Sequence, residues 1–376
     1  MGRVKTRFLI ATDSFKGTMG SGEVAGIIAR AIRAHVPEAV IHTVPMADGG
    51  EGLVGALLCA CGGRELSATV CGPFGEPVTA KYGLLDSGAA VIEMAACAGL
   101  PLAEGRLDPM RATTRGVGEL IALAAASGAK KIILGLGGSA TNDGGVGMAA
   151  ALGYRFFDEK GNAVEPLACR MEEIRSIRRP EQLLEMRVTA ACDVSNPLCG
   201  PLGATAVFGP QKGVTDETHG RLERGLCALA DAMQRSLGRS VLSLPGGGAA
   251  GGLGAAVAGF LDGELRPGIE LVLDAANVDA LLGETDVVFT GEGRIDGQSV
   301  FGKVPVGVAR RARAKGVPCF ALCGSVGEGA EAVYREGITA VYSAVRRAAD
   351  FDGIRKTCRE DMAFLADAVV RTLLLD

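Results

Sequence analysis

The stretch Ile132–Gly147, which reads IILGLGGSATNDGGVG, contains a loop rich in glycine and short polar side chains. Three apolar residues typical of the end of a buried strand precede the loop, and an apolar helix is predicted to begin near Val146. Glycines let backbone amides turn toward an anion such as phosphate, and a helix N-terminus adds partial positive charge. The alternative is a tight strand-to-helix connection whose glycines serve packing. The candidate cofactor-binding residues of this loop are Gly137, Gly138, Ser139, Thr141, Asn142 and Asp143.

Three other loops place carboxylates or a cation directly after predicted strands. Asp13 and Lys16 belong to DSFKG, Asp48 opens DGGEG, and Asp193 opens DVSNP. A lysine neutralises the charge of a phosphoryl group in transfer, and an aspartate can hold a metal or accept a hydroxyl proton. The alternative is that the aspartates cap helices or form turns and that the lysine is solvated. We treat all four as catalytic candidates.

The segment Gly291–Ser299, reading GEGRIDGQS, is more polar than a short connection requires. Arg294 can grip a carboxylate through two parallel hydrogen bonds, which suits a small carboxylic acid substrate. Asp296 follows two residues later and is a second catalytic candidate. The segment therefore predicts a binding loop.

A second glycine run, PGGGAAGGLG, could form another backbone nest for an anion at Gly247 and Gly248, or serve close helix packing. The sequence thus combines several acids, a few cations and two glycine nests, without a paired nucleophile and base. This pattern favours phosphoryl transfer, which depends on positioning and charge stabilisation.

Composition excludes several classes of function. The chain of 376 residues carries a net charge of −4 without basic tracts, which disfavours nucleic-acid binding. Its 11 cysteines contain no CxxC pair and suggest reduced thiols, and its 3 histidines lack ligand spacing, which argues against a zinc site or a histidine triad. No apolar run reaches membrane-spanning length, so we expect a soluble cytoplasmic protein.

Strands alternate with helices at both ends of the chain, which predicts an α/β fold of two domains. Residues 1–64 and 284–376 are expected to form a discontinuous, flavodoxin-like, doubly wound parallel sheet. Residues 65–283 are expected to form an inserted mixed α/β domain that includes a helix at Leu222–Leu237. In a flavodoxin-like order the first and third strands are neighbours, so DSFKG and TGEGRIDGQS should flank one crevice.

Two motif matches offer other interpretations. Gly297–Lys303 fits the phosphate-loop pattern GxxxxGK, but Val304 replaces the Ser or Thr that binds magnesium, and we reject it. Gly135–Ala140 fits GxGxxA after a strand, and Asp158 ends the next apolar run, as in a dinucleotide-binding fold. An NAD-dependent dehydrogenase is therefore the alternative function.

Taken together, the motifs resemble those of the bacterial glycerate kinase family, the type that includes the kinases of glucarate and glyoxylate breakdown. The matching pieces span nearly the whole chain and are ATDSFKGT, PMADGGEG, GLGGSATNDGG, ACDVSNPLCG, the glycine run with AAVAGF, and TGEGRIDGQSVFGK. The resemblance implies ATP-dependent phosphorylation of D-glycerate with Mg²⁺, usually at the 2-hydroxyl to give 2-phosphoglycerate. It also implies two α/β domains, one of them flavodoxin-like. Phosphorylation of the 3-hydroxyl and the oligomeric state stay open.

On this basis we expect ATP and D-glycerate as small-molecule partners, with no nucleic acid or membrane. The ATP phosphates would lie on the GGSATNDGG loop, joined by PGGG, with magnesium on Asp193 or Asp143. Arg294 and Lys16 would hold the glycerate carboxylate. The residues expected to orient or deprotonate the hydroxyl are Asp13, Asp48 and Asp296.

Overall fold

Strands and helices alternate along the chain in a computed structural model that describes residues 6–47, 49–50, 52–300 and 302–374. The strands are β1 (Arg7–Thr12), β2 (Val40–Thr43), β3 (Gly63–Cys71), β4 (Pro77–Leu85), β5 (Ala89–Glu93), β6 (Lys131–Gly135), β7 (Arg155–Phe157), β8 (Ala163–Val164), β9 (Ser176–Arg178), β10 (Arg187–Ala191), β11 (Glu264–Arg266), β12 (Val287–Gly291), β13 (Arg294–Ile295), β14 (Cys319–Cys323), β15 (Ser325–Val326) and β16 (Ile338–Ser343). The helices are α1 (Ser21–His35), α2 (Leu53–Cys61), α3 (Ala95–Ala98), α4 (Arg115–Ala126), α5 (Val146–Ala151), α6 (Ala204–Phe208), α7 (Asp216–Leu237), α8 (Ala249–Leu261), α9 (Gly268–Ala275), α10 (Val278–Leu282), α11 (Val304–Ala314) and α12 (Phe351–Leu373). The predicted α/β class with parallel sheets is confirmed.

The chain divides into two units. Unit 1 comprises Met1–Asp48 and Ile269–Asp376, and unit 2 comprises Gly49–Gly268. The boundaries predicted from the sequence lie further along the chain at both junctions. The reason is packing, because α2 contacts strands β4 and β5, whereas α10 contacts α11.

Unit 1 is built on a five-stranded parallel sheet in the order β16-β14-β12-β1-β2. Numbered within the unit, this is the flavodoxin-like order 2-1-3-4-5. Phe8 lies beside Val287 and Thr12 beside Gly291, so the first and third strands of the sheet are neighbours as predicted. Their carboxyl ends therefore meet at the point where the strand order reverses, which is where ligands bind in such sheets.

The strands of unit 1 are apolar on both faces because helices cover both. Phe8 and Ile10 belong to a core cluster with residues of α1 and α12, such as Ile28 and Met362. The alternate residue Leu9 is fully buried, and α11 also packs on the strands. Continuous apolar sequence such as RFLIAT is what a doubly covered parallel strand requires.

Unit 2 is built on a six-stranded mixed sheet in the order β11-β10-β6-β5-β4-β3. Strands β11, β10, β6 and β5 run parallel, while β4 and β3 form an antiparallel hairpin at one edge. Its core joins strand residues such as Leu134 and Val188 to helix residues such as Leu120, Leu226 and Leu253. Helix α7 begins at Asp216, before the predicted Leu222, because Thr215 and Thr218 form a capping box.

The pairing of β7 shows that the dinucleotide-binding alternative is wrong. In such a fold the strand after the glycine loop lies parallel to the first strand. Strand β7 instead pairs antiparallel with β8 and β9 in a separate small sheet, and the parallel neighbours of β6 are β5 and β10. Asp158 therefore follows a strand that does not pair with β6, unlike the acidic residue of a dinucleotide-binding fold.

The helices of the described residues include none with the length and hydropathy of a membrane span.

Candidate active site

A pocket of about 440 Å³ lies within unit 1. Its polar wall comes from the loops after β1 and β12, which are the two loops predicted to flank a crevice. Residues that follow β14 and β16, Lys303 before α11, and residues of α12 complete the wall. The charged and apolar residues that line it include Asp13, Lys16, Glu292, Arg294, Lys303, Phe15, Met19, Phe351 and Ile354. A volume of this size fits the usual range for small-molecule sites.

Asp13 lines the pocket and is fixed there by two hydrogen bonds to backbone groups. Its amide donates to the Gly291 carbonyl at 2.9 Å, which continues the pairing of β1 with β12. Its Oδ1 accepts a hydrogen bond from the Ser14 amide at 2.6 Å, and the residue is only 8% exposed. Lys16 lies three residues further on, exposed in a tight turn closed by Phe15 and Met19. The structure thus brings a buried carboxylate and an exposed ammonium to one pocket.

Arg294 is positioned by the short strand β13, which pairs with β15 beside the pocket. Its Nε lies 3.2 Å from Asp296 Oδ2, and Asp296 Oδ1 accepts the Gln298 amide at 3.0 Å. The Arg294 side chain is 64% exposed while that of Asp296 is 20% exposed. Asp296 therefore orients the guanidinium, and the arginine is the member of the pair that can meet a ligand.

Glu292 is a candidate that the sequence analysis did not single out. It is 7% exposed, accepts a hydrogen bond from Ser299 Oγ at 2.7 Å, and lies 3.4 Å from Lys303 Nζ. Burial raises the pKa of Glu292 and the nearby charge of Asp13 adds to the rise, while Ser299 and Lys303 oppose it. A carboxylate with a raised pKa is suited to accept a proton from a substrate hydroxyl. The only signal in the sequence is its place directly after a strand.

Asp48, the remaining acid of the predicted catalytic set near the first strands, lies outside the described residues. The two glycines that follow it belong to unit 2 and make close backbone contacts. A Cβ on Gly137 would lie 2.6 Å from the Gly50 Cα, and one on Gly49 would lie 3.3 Å from Asp193 Oδ2. Glycine is therefore required where the DGG, GLGG and DVS motifs converge at the carboxyl ends of β6 and β10.

Asp193 is exposed at this edge of the sheet of unit 2. Its Oδ1 accepts a hydrogen bond from the Gly268 amide at 2.9 Å, which fixes the carboxylate. Carboxylate oxygens are the ligands that Mg²⁺ prefers, and Mg²⁺ keeps several waters, so it needs an exposed position of this kind. Asp193 fits a magnesium ligand.

Asp143 has a different environment, fully buried inside the glycine loop. It accepts hydrogen bonds from the amide and hydroxyl of Thr114, both at 2.8 Å, and from the amides of Gly145 at 3.0 Å and Gly147 at 3.3 Å. Burial raises the pKa of Asp143, and these four hydrogen bonds oppose the rise. Its surroundings favour a role in holding the loop over contact with a hydrated cation.

Lys212 lies in the interior of the glycine loop. The sequence did not identify it as a candidate. Its Nζ donates to Ser139 Oγ at 2.7 Å and to the Thr141 carbonyl at 2.8 Å, although the residue is 1% exposed. Burial lowers the pKa of Lys212 to about 7, against the charge of Asp143. Nothing in the local sequence GPQKG distinguishes this lysine from a surface one, because only the tertiary fold buries it.

The predicted cofactor residues of the loop differ in accessibility. Gly138 is exposed and Gly137 is half-buried, whereas Ser139, Thr141 and Asn142 are buried. Asn142 Nδ2 donates to the hydroxyl of Thr205 at 3.1 Å. The loop therefore offers its glycine segment to a ligand and uses its polar side chains internally.

The second glycine run packs against the first. A Cβ on Gly251 would lie 2.1 Å from the Thr141 carbonyl oxygen, and the Gly251 carbonyl accepts the Gly144 amide at 2.9 Å. Gly247 and Gly248 are buried, and their amides donate to the carbonyls of Leu244 and Asn196. Their contacts favour the close-packing interpretation, while their cofactor role stays a prediction.

Comparisons with known proteins agree on one family. The sequence matches a model described as the glycerate kinase family over residues 8–374. A protein of Halalkalibacterium halodurans named glycerate kinase is 45% identical over 349 residues, or 92% of each chain. One of Escherichia coli K12 named glycerate 2-kinase is 41% identical over 375 residues, or 98% of each chain. A crystal structure described provisionally as glycerate kinase 2 of Salmonella typhimurium LT2 has 42% identity, a TM-score of 0.88 and 98% coverage of both chains.

Proposed function

Because this chain belongs to the glycerate kinase family, we propose that it transfers the γ-phosphoryl group of ATP to the 2-hydroxyl of D-glycerate, giving 2-phospho-D-glycerate and ADP. The observation that carries this proposal is the near full-length similarity to glycerate kinases, one of which is named glycerate 2-kinase. The choice of the 2-hydroxyl rests on that name, and the 3-hydroxyl is the alternative.

The pocket of unit 1 supports a binding site for the hydroxy acid. Arg294 and Lys16 supply two exposed cations for its carboxylate, and a guanidinium can bind a carboxylate through two hydrogen bonds. Glu292 and Asp13 are two buried acids of the same pocket. We assign Glu292 as the base that accepts the hydroxyl proton, since its raised pKa brings it closer to that task at neutral pH. Asp13 would then orient the hydroxyl, and Asp296 would hold Arg294.

The loop of unit 2 supports a binding site for the ATP phosphates. The backbone of this loop is accessible at Gly137 and Gly138. The neighbouring Ser139 is fixed by a hydrogen bond from Lys212. The buried hydroxyl of Thr141 has no hydrogen-bond partner among the described residues. Because an unpaired buried polar group is costly, a phosphate oxygen that reached Thr141 would relieve that cost.

Asp193 is our assignment for the magnesium ligand, with Asp143 kept as the residue that fixes the loop. Magnesium bound to the phosphates would neutralise the charge that develops during transfer. Asp193 would hold that ion through its exposed carboxylate, whose orientation the Gly268 amide fixes.

The test is a direct assay of the purified protein with D-glycerate and Mg-ATP. ADP release is followed with a coupled assay, and the product is identified by phosphorus NMR. A signal of 2-phosphoglycerate supports the proposal, and one of 3-phosphoglycerate keeps the kinase but changes its regiochemistry. Absence of glycerate-dependent ADP release would contradict the proposed substrate.

A further inference from the structure

Three potential metal ligands lie together in unit 2 outside the residues discussed so far. Cys199, Glu223 and Cys227 each offer a ligand atom, and these atoms all lie within 4.8 Å of one another. Cys199 belongs to the turn between β10 and α6. Glu223 and Cys227 are one helical turn apart on α7, which places them on the same face of the helix. Two elements distant in sequence therefore present two sulfurs and a carboxylate to one point.

The turn is tied to α7 by the same glutamate. Glu223 Oε1 accepts a hydrogen bond from the Gly200 amide, next to Cys199 in the chain. The sulfur atoms of Cys199 and Cys227 lie within 4.8 Å of each other. These contacts hold the three side chains in place without a ligand, so the arrangement is preorganised.

The second oxygen of Glu223 is the observation that points to a cation. Oε2 exposes less than 1 Å² to solvent and has no hydrogen-bond partner among the described residues. A buried carboxylate oxygen without a partner costs free energy, and native proteins rarely leave one unexplained. A positive ion between Oε2 and the two sulfurs would remove that cost.

We propose that Cys199, Glu223 and Cys227 form a binding site for a borderline-soft divalent cation of the Zn²⁺ class. Two thiolates and one carboxylate are three ligands of a tetrahedral zinc centre, and the spacing of the three atoms fits that geometry. Sulfur ligands select zinc over magnesium, so this site is separate from the one assigned to Asp193. Water takes the fourth position.

Binding of the metal is coupled to release of protons. A metal ion binds the thiolate form of cysteine, so both thiols must lose their protons when the ion binds. The two S–H bonds break as two metal–sulfur bonds form, and the two protons pass to the solvent. Uptake should therefore be stronger at higher pH.

The occupied site joins the turn at Cys199 to α7. That turn follows Asp193 in the chain, and α7 follows Lys212. The role inferred is structural, since none of the three ligands lines the loop at Gly137 and Gly138. The inference does not depend on which substrate the protein phosphorylates.

The experiment uses the full chain, reduced with a phosphine, stripped with a chelator and desalted. It is titrated with Co²⁺ and then with Zn²⁺. We expect one equivalent of Co²⁺ to give the absorption bands of a tetrahedral thiolate site, and Zn²⁺ to displace it. Zn²⁺ should also raise the melting temperature of the protein.

Three variants and a matched control decide the site. Cys199→Ser, Cys227→Ser and Glu223→Gln should each weaken Zn²⁺ binding by about 10- to 100-fold or more. Cys59→Ser removes an exposed thiol elsewhere and should bind like the parent chain. Circular dichroism checks that each variant is folded, and the Co²⁺ bands give a readout independent of stability.

Two results would overturn the inference. One is the absence of stoichiometric Co²⁺ or Zn²⁺ binding to the reduced parent chain. The other is unchanged binding after Cys199→Ser and Cys227→Ser are combined. A disulfide between the two cysteines that formed readily, with no metal uptake by the reduced protein, would assign the pair to redox chemistry instead.

Discussion

The cations of the unit 1 pocket and the acid and lysine inside the unit 2 loop lie in opposite environments. In the pocket of unit 1, Arg294 is 64% exposed at its side chain and Lys16 is exposed, so the charges face a cavity of about 440 Å³. In the loop of unit 2, Asp143 and Lys212 are almost fully buried and bond to the protein itself. Polar side chains that are buried inside a glycine loop hold the loop in shape, whereas exposed cations at a cavity can contact a ligand. Substitutions in the two units should therefore affect different quantities.

The largest effect is expected from Glu292→Gln in unit 1. Loss of a general base lowers kcat by about 10²- to 10⁴-fold, and the fold should be retained because glutamine keeps the shape of the side chain. Steady-state kinetics with D-glycerate measures it, with Glu331→Gln as the exposed control. A kcat within twofold of the parent would remove Glu292 as the base and direct attention to Asp13.

Asp193→Asn tests the exposed acid that we assign to magnesium in unit 2. Loss of a carboxylate ligand should lower kcat/KM by about 10²- to 10³-fold, since metal-ion stabilisation is worth several kcal/mol. The Mg²⁺ concentration needed for half-maximal activity should rise with it. Asp262→Asn, at an exposed position with positive φ that asparagine tolerates, is the control. An unchanged Mg²⁺ dependence would place the metal elsewhere.

Asp143→Ala should act on stability more than on binding. It leaves the donors of Thr114, Gly145 and Gly147 without their buried acceptor, which should cost about 3 kcal/mol of unfolding free energy. Urea denaturation measures the loss, and Ala at the half-buried turn residue Asp158 should cost less, because its three donors lie at the surface where water can replace the carboxylate. If the fold were unaffected while Mg²⁺ dependence changed, Asp143 would be a metal ligand after all.

Arg294→Ala should raise the KM for glycerate by about 10- to 100-fold, the value of a charge-assisted hydrogen bond to a carboxylate. Stability should hardly change, because its ion pair with Asp296 is exposed on the arginine side. Arg359→Ala breaks another exposed pair, with Glu23, and serves as the control. A rise in the KM for ATP alone would reassign Arg294 to the nucleotide.

The smallest effect is a pH dependence of stability from Lys212. Its pKa is about 7 in the folded chain against the ordinary 10.5, so between these values the unfolded chain binds the extra proton. Stability from this group therefore rises with pH across that window, by about 1 kcal/mol per pH unit. Urea denaturation from pH 7 to 9 should show this slope in the parent and in exposed-site Lys130→Met. Lys212→Met should lack it, and an equal slope there would contradict the prediction.

The sequence by itself determined the elements and the parts of the fold that local pattern controls. An apolar segment after the glycine loop predicted a helix that begins near Val146, and α5 begins at that residue. Alternation of strands and helices predicted a doubly wound sheet, and the flavodoxin-like order that the family resemblance implied is the order of the sheet in unit 1. That strand order also places the loops of Asp13 and Arg294 side by side, because they follow the neighbouring strands β1 and β12.

Only the tertiary structure decided which polar residues are buried. The local sequence of Lys212 is that of a surface lysine, yet the fold encloses it beside Ser139. The pKa of Glu292 is raised because the fold buries it and places the charge of Asp13 nearby. Asp143 and Asp193 are both aspartates in loops that follow strands, yet Asp143 is fully buried and Asp193 is exposed. Burial and electrostatic environment depend on contacts between segments far apart in the chain, which local sequence does not encode. The position of each residue is local information, whereas its chemistry is set by the fold around it.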